Sequence, residues 1–388
     1  MSAAELPHEA YVAALASLDE VGPARLRALL ALGTPQEAWA RVRAGRLPTA
    51  ARQGRSRVGD DLRRAWQEQA ATLSPEEVWR RCVSGGIGVV TLGGSGYPSA
   101  LADDPEPPVV LFHRGDPDVL VGPRVAIIGT RRATGYGLRH ATALGRELSE
   151  AGVSVVSGLA LGIDAAAHRG ALQHPGATPV AVVGAGLDAP CPQRNRGLAD
   201  QVVRDGLLVS EAPPGVRATR WRFPVRNRII AGLSDAVVVV ESAGAGGSMH
   251  TVREALLRDR TVLAVPGPID SRASEGTNQL LSEGAVVCAG VSDVLTAIGH
   301  VPPRPREPVA AHPDPREAPT GAASRALEGV GWRPVSIEQV ARATGLGFSE
   351  LAAALVQLES TGWIERNGGW IERVARPEQV PGPGGGAA

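Results

Sequence analysis

The stretch RVAIIGTRRATGYGLRHATALGRELSEAGVSVVSGLALGIDAAAH, residues 124–168, decides the fold. Two apolar, β-branched runs, Val125–Ile128 and Val153–Ser157, flank one amphipathic segment of helix length, the pattern of a βαβ unit. The first run ends in Gly129-Thr130-Arg131-Arg132, and the helix opens near Gly135-Tyr136-Gly137. Backbone N–H groups and the positive end of the helix should therefore converge at this turn, as they do where anions bind. Arg131 and Arg132 add fork-shaped donors suited to phosphate oxygens. A plain strand-to-helix turn with solvated arginines is the simpler alternative, but it leaves the second arginine without a purpose.

What the turn lacks narrows the phosphate. A dinucleotide fold carries G-x-G-x-x-G here and an acid after the second strand for the ribose hydroxyl. In this chain the spacing of Gly129, Gly135 and Gly137 is wrong, and Ser157 stands where that acid belongs. A nucleotide-triphosphate loop needs a lysine, and the sequence has none. Neither NAD nor ATP is expected, and no cofactor is assigned.

Working outward, a helix from Pro75 leads to strands at Ile87–Leu92 and Val109–Phe112, which should extend the sheet. Beyond the opening unit, strands are expected at Pro179–Val183, Leu207–Ser210, Ala236–Glu241, Thr261–Val265 and Ala285–Cys288. Strand-helix alternation of this kind predicts a doubly wound parallel α/β sheet, Rossmann-like and extended, over residues 75–300. Ligands on such sheets lie at the carboxyl ends of the strands. The Gly129, Ser157-Gly158, Gly184-Ala185-Gly186 and Gly244–Ser248 turns all fall on that edge, where glycines admit a close-lying backbone. Gly246, Gly247 and Ser248 open a second helix, Met249–Leu257, toward the same rim.

Ahead of this core, leucines at helical spacing, broken at Val21-Gly22-Pro23 and Gly33-Thr34-Pro35, predict three short helices in a small domain, residues 1–72. The Val-Gly-Pro turn resembles helix-hairpin-helix modules that grip DNA backbones, and an accessory helical domain is an equally good reading. Residues 41–64, with eight arginines against Asp60 and Asp61, read as a solvated linker, with an auxiliary nucleic-acid contact as the alternative. A Pro-rich linker is expected over 301–320. Three helices and a hairpin then predict a winged-helix domain, residues 321–374, before a disordered tail, 375–388. Five arginines face six glutamates in the winged helix, and its presumptive recognition helix, Phe348–Ser360, carries Glu350 and Glu359 and no arginine. Duplex phosphates would repel it, so a protein contact is expected there.

At 388 residues, 43% apolar and 21% charged, the chain reads as a soluble globular protein of two or three domains. No run approaches the ~18 apolar residues of a membrane helix, and no secretory signal is evident, so a cytoplasmic location without membrane contact is expected. Cys82, Cys191 and Cys288 are widely spaced and without CxxC, which argues against disulfides and a zinc site, and no metal is expected. Forty basic residues balance forty acidic ones, so distribution matters more than total. Between Ala212 and Ser234 stand Arg217, Arg220, Arg222, Arg226 and Arg228 with no acid among them. They alternate with Trp221 and Phe223, a pattern suited to a single strand, where phosphates meet charge and unstacked bases meet rings. Core packing is an equal alternative for both rings, and Arg226, Asn227 and Arg228 start a helix that they could brace instead.

The segments GTRRATGYG, SGLALGIDAAAHRGAL, AVVGAGLD, SEAPPG, FPVRNRIIAGLSDAVVVVES and AVPG, in that order over roughly residues 90–290, resemble the DprA (Smf) family of DNA-processing proteins. The flanking helical domain, of the SAM or helix-hairpin-helix kind, and the winged helix resemble that family's three-part layout. The resemblance implies an extended Rossmann domain that binds single-stranded DNA, forms a homodimer and loads RecA during natural transformation. Carried over by position, Arg131 would hold a backbone phosphate, and Arg220 stands where the family places a basic DNA contact. After AVVGAGLD the family commonly shows Tyr-Pro-Lys; this chain has Cys191-Pro192-Gln193, and Arg194, beside Asn195, is taken as the substitute. The expected interface thus comprises Gly129, Thr130, Arg131, Arg132, Arg194, Asn195, Arg220, Arg222, Phe223, Arg226, Asn227, Arg228, Gly246, Gly247 and Ser248.

Two rivals remain. A base-releasing hydrolase of the lysine-decarboxylase-like group uses Gly-Gly-x-Gly-Thr-x-x-Glu, but Gly246–Glu254 is one residue longer and lacks the third glycine, and Glu254 is expected to pair with an arginine. Asp164 and His168 have no nucleophile at a recognisable spacing, so no catalytic residue is assigned. A duplex-DNA repressor through the winged helix conflicts with that domain's charge.

Overall fold

A computed structural model describes residues 6–47, 59–188, 192–217, 219, 221–244, 246–300, 316–330, 334–367 and 369–374. They fall into two compact units, one ending by residue 300 and one beginning at residue 316.

The first unit is built on a nine-stranded sheet of β1 (Gly88–Thr91), β2 (Val110–Gly115), β3 (Arg124–Ile128), β4 (Ser154–Ser157), β5 (Val180–Val183), β6 (Leu207–Ser210), β7 (Ala236–Val239), β8 (Thr261–Ala264) and β9 (Val286–Val287). Their spatial order is β1-β2-β6-β5-β4-β3-β7-β8-β9. Strands β6 through β9 run parallel, while β1 and β2 add an antiparallel edge beside β6. Every residue of β3, β4, β5, β6 and β7 is buried, which is why the middles of these strands read as consecutive apolar residues rather than as alternating ones.

Period-two geometry splits each strand between two layers. Ala126, Ile128, Val237 and Val239 pack against the helix Arg222–Leu233 through Ile229, Ile230 and Leu233. Val125, Ile127 and Val238 pack on the other face against Ala141, Leu144 and Leu148 of the helix Gly135–Glu150 and against the helix Ile163–Ala171. From β3 the chain steps outward through β4 and β5 to β6, then returns to place β7 on the opposite side of β3. The connections leaving the carboxyl ends of β3 and β7 therefore run to opposite sides, and the gap between them is the crevice where doubly wound sheets hold ligands.

The amino-terminal helices, His8–Ala16, Pro23–Leu30, Pro35–Arg43, Asp60–Thr72 and Pro75–Ser84, share one continuous core with the sheet edge, in which Leu15, Trp39 and Trp66 join Phe112, Val183 and Leu208. The linker expected over 41–64 is overturned at both ends, and its middle, 48–58, lies outside the described residues. Leu62, Trp66 and Ala70 form a stripe with a four-residue period, and fully buried Trp66 donates its Nε1–H to the Asp19 carbonyl at 2.8 Å. Arg41, Arg43, Arg46 and Arg64 are exposed, whereas Arg63 is half-buried and donates to Asp60 and to the Leu47 carbonyl.

The second unit comprises helices Gly321–Gly329, Ile337–Thr344 and Phe348–Ser360 with β10 (Val335–Ser336), β11 (Ile364–Asn367) and β12 (Trp370–Arg373) in the order β10-β12-β11. Its own core is formed by Leu327, Val340, Leu351, Leu355, Leu358, Ile364 and Ile371. Three helices followed by a wing are the expected winged-helix arrangement. Among the described residues, no helix is long and apolar enough to cross a membrane.

Candidate nucleic-acid interface

The β3–β7 crevice opens into a cleft of about 470 Å³. Gly129, Thr130, Arg131 and Arg132 form one wall, Phe223, Arg226 and Asn227 the floor, and Gly246, Gly247, Ser248 and His250 the opposite wall. The turn after β3 is hung from the end of β7: the Thr130 N–H donates to the Glu241 carbonyl at 2.7 Å. Gly129 is required at this point, because a Cβ there would lie 2.6 Å from the Ile163 side chain and 2.7 Å from the Glu241 carbonyl oxygen. Thr130 Oγ1 in turn accepts from the Arg132 N–H at 3.2 Å, which fixes the loop that carries both arginines.

Arg131 and Arg132 are exposed. The Arg131 guanidinium sits 5.0 Å above the half-buried Phe223 ring, a cation–π arrangement that presents an aromatic face and a mobile charge together. Gly246, Gly247 and Ser248 supply the amino end of the helix Ser248–Leu256, which has no side-chain cap. Buried Ser248 donates its hydroxyl to Ser242 Oγ at 2.8 Å. His250 also faces the cleft; it was missed because a lone histidine in a glycine-rich segment has no distinguishing pattern.

The anion cradle expected at the start of the helix Gly135–Glu150 is already filled. Thr134 caps that helix by accepting from the Gly137 N–H at 3.2 Å, and the Glu241 carboxyl group accepts from Thr134 N at 2.9 Å and from Thr134 Oγ1 at 2.5 Å. A Cβ on Gly137 would lie 2.3 Å from Glu241 Oε2, so that glycine makes room for the carboxyl group rather than for a phosphate. Glu241 is 2% exposed. Its position as the acid ending a run of four valines was the available signal.

Several residues expected on the rim lie inside. Arg226 is buried; its guanidinium donates to the Gly158 carbonyl at 2.8 Å and to the Val182 carbonyl, tying the ends of β4 and β5 to the helix Arg222–Leu233. Burial pulls its pKa down to about 10, against the attraction of Asp164. Burial raises the Asp164 carboxyl, with Arg226 the strongest opposing influence. Arg228, also buried, makes a two-pronged pair with Glu211, 2.7 Å to each carboxylate oxygen. Asn227 is buried at the cleft floor. Asn195 is 1% exposed and donates to the Leu159 and Ala160 carbonyls at 2.9 and 3.2 Å, whereas its neighbour Arg194 is exposed on a short turn outside the cleft lining.

Arg222 turns away from the cleft and lies 4.5 Å above the Trp221 ring. Arg220 lies outside the described residues. The Gly184–Gly186 turn is covered: Gly186 N donates to the Val216 carbonyl at 2.9 Å, and the Asp188 carboxylate accepts from Gly215 N.

Of the residues considered for catalysis, Glu254 and Asp164 have partners and His168 is sealed in the core. Glu254 pairs with Arg258 at 2.6 Å, and Arg258 also holds Asp104 at 2.6 and 2.9 Å. His168 is fully buried, which pulls its pKa down to about 4. In the winged helix, the exposed side of the helix Phe348–Ser360 presents Phe348, Ala352 and Val356 at four-residue spacing, and Glu350 pairs with Arg325 at 2.8 Å.

Comparison with known proteins adds the lineage. A family model described as DNA recombination-mediator protein A matches residues 88–299, and one described as the DprA winged helix domain matches residues 310–369. The putative DNA processing protein DprA of Mycobacterium tuberculosis is 35% identical over 363 residues, covering 89% of this chain and 90% of the relative. Protein Smf of Escherichia coli is 36% identical over 284 residues, covering 72% and 75%. Among solved structures, DNA processing protein A of Streptococcus pneumoniae aligns with a TM-score of 0.61 at 29% identity, over 75% of this chain and 98% of that one. The Helicobacter pylori protein, whose structure describes a single-stranded DNA binding mode, aligns with a TM-score of 0.50 at 30% identity, over 55% and 95%. Matched in its sheet, in its winged helix and over nearly the full length of a relative, the chain belongs to the DprA (Smf) family of DNA-processing proteins.

Proposed function

We propose that this protein binds single-stranded DNA, without sequence preference, along the carboxyl-end crest of its parallel sheet. We propose further that it acts in the cytoplasm as a homodimer, protecting incoming DNA and passing the strand to RecA during natural transformation. The observation that carries the reading is the exposed Arg131 guanidinium stacked over Phe223 in a cleft whose other wall is the glycine-rich Gly246–Ser248 backbone. A guanidinium beside a ring face is what a flexible strand needs, a cation for its phosphate and a surface for its unstacked base. Arg132 extends the positive wall, exposed Arg194 lies outside the cleft lining and can engage only a longer strand, and Arg220 keeps the contact that the family pattern assigns to it.

A mononucleotide or dinucleotide cofactor is disfavoured by the same geometry. The helix end that would face its phosphate holds the Glu241 carboxyl group instead. The lineage of the chain, together with the single-strand binding described for the Helicobacter pylori protein, supports the choice of ligand.

The test is fluorescence anisotropy with labelled single- and double-stranded oligonucleotides of equal length. Single strands should bind far more tightly, and each phosphate contact should contribute about 0.7 to the slope of log affinity against log salt. Arg131→Ala should remove about one such contact, so that between about 50 and 200 mM salt its affinity falls about 2.6-fold less than the parent's. Equal affinity for duplex, or an Arg131→Ala slope matching the parent's, would refute the assignment. RecA loading is read separately, as RecA ATP hydrolysis on single strands precoated with a single-strand-binding protein; no stimulation by the full chain would remove that part of the proposal.

A further inference from the structure

We propose that a second cleft, between the amino-terminal helices and the loop after β6, takes additional nucleotides of the same single strand, with Trp221 as the stacking surface and Arg217 as the phosphate contact. The inference rests on the single-strand reading above and extends it to a site on the other side of the Trp221–Phe223 segment. This cleft is about 490 Å³, slightly larger than the crest cleft, and its walls come from different parts of the chain. Asp19, Leu73 and Arg81 contribute from the helical bundle, and Val216, Arg217 and Trp221 from the loop after β6.

Trp221 is 44% exposed, although its ring is one of the largest apolar groups in the chain. The edge of the ring rests against Gly22, whose Cβ position would be 3.7 Å away, so the Val21-Gly22-Pro23 turn seats the ring. The Arg222 guanidinium lies 4.5 Å from the ring, as Arg131 does over Phe223. Trp221 and Phe223, two residues apart, thus open onto two different clefts, each ring accompanied by a guanidinium. Successive aromatic-and-cation stations are how sequence-tolerant single-strand sites are built.

The charges in the second cleft also suit a polyanion. Arg217 is exposed and has no ion pair among the described residues. Arg81 reaches across from the helix Pro75–Ser84 toward Gly215, whose Cβ position would be 3.6 Å from its guanidinium. Of the nearby acids, Asp19 accepts from the Gln69 side chain, Glu20 pairs with Arg25 and Glu77 pairs with Arg81. Arg217 and Arg222 have no ion pair among the described residues, so the cleft keeps two uncommitted cations beside the Asp19 carboxylate, whose charge the Gln69 amide does not cancel.

The experiment measures the affinity of the full chain for oligodeoxythymidylates from about 4 to 16 nucleotides long. Trp221→Ala and Arg217→Ala should bind the shortest strand like the parent and lose about tenfold on the longest, and Trp221→Phe should restore most of the loss. Arg217 is exposed, so its variant reports on binding even if Trp221→Ala loosens the bundle. If both variants match the parent at every length, or weaken short and long strands alike, the second site is wrong while the crest site stands. If Arg131→Ala binds like the parent at every length, the single-strand reading itself fails. Thymidine monophosphate should not compete with the longest strand at concentrations near the strand's own affinity; competition there would make the cleft a mononucleotide pocket and overturn the inference.

Discussion

Replacing Arg228 by Ala separates the arginines that hold the fold together from those available to DNA. Arg228 and Glu211 have side chains 5% and 13% exposed and share two contacts of 2.7 Å. Removing one partner leaves an uncompensated buried carboxylate, a loss of about 3–5 kcal/mol. The effect depends on pH in a defined direction. Burial is the largest influence on Glu211 and raises its carboxyl above the ordinary value, with Arg228 pulling it down. Without Arg228 only the weaker pulls of Arg222 and Arg27 oppose the rise, so the folded state holds its proton to higher pH than the unfolded state does. Stability is then greatest below the unfolded carboxyl pKa, about 4.3, and falls as pH rises through the folded value. Urea unfolding of Arg228→Ala at acidic and at mildly alkaline pH should show the larger deficit at alkaline pH. Molecules that remain folded should bind single-stranded DNA like the parent. An equal deficit at both pH values, or a lost salt slope without lost stability, would refute the assignment of Arg228 to the scaffold.

Glu241→Ala leaves the Thr134 N–H without its acceptor and should cost about 1–3 kcal/mol in urea unfolding, with Glu241→Gln closer to the parent because it keeps one carbonyl oxygen. The vacated helix end should also let pyrophosphate raise the Tm of Glu241→Ala but not that of the parent; no Tm difference would show that Glu241 does not occupy an anion site. Burial pushes the Cys82 thiol up to about 11 and the Cys288 thiol to about 12, so neither should be alkylated in the native protein at pH 8. Rapid labelling of either, read by peptide mass mapping, would contradict their burial.

Much of the architecture follows from local pattern. The apolar runs at Val125–Ile128, Val180–Val183 and Ala236–Val239 become central strands because a parallel sheet covered on both faces tolerates little else. Ser336 caps its helix through a reciprocal bond with Gln339, a start signal carried within four residues. The helix Asp60–Thr72 was hidden because its inward stripe, Leu62, Trp66 and Ala70, is sparse and is interrupted by Arg63 and Arg64.

The division of labour among the arginines lies beyond local pattern. Arg222, Arg226 and Arg228 differ little as sequence, yet one covers Trp221, one ties β4 and β5 to a helix and one neutralises Glu211. Helical geometry points neighbouring residues in different directions, and the role of each charge depends on which distant segment meets it, over 68 residues for Gly158 and 17 for Glu211. Glu241 follows the same rule. Composition and spacing place it at the end of a strand, and only the adjacency of β7 to β3 brings its carboxyl group to Thr134, 107 residues away, filling the cradle that the opening turn advertises for a phosphate.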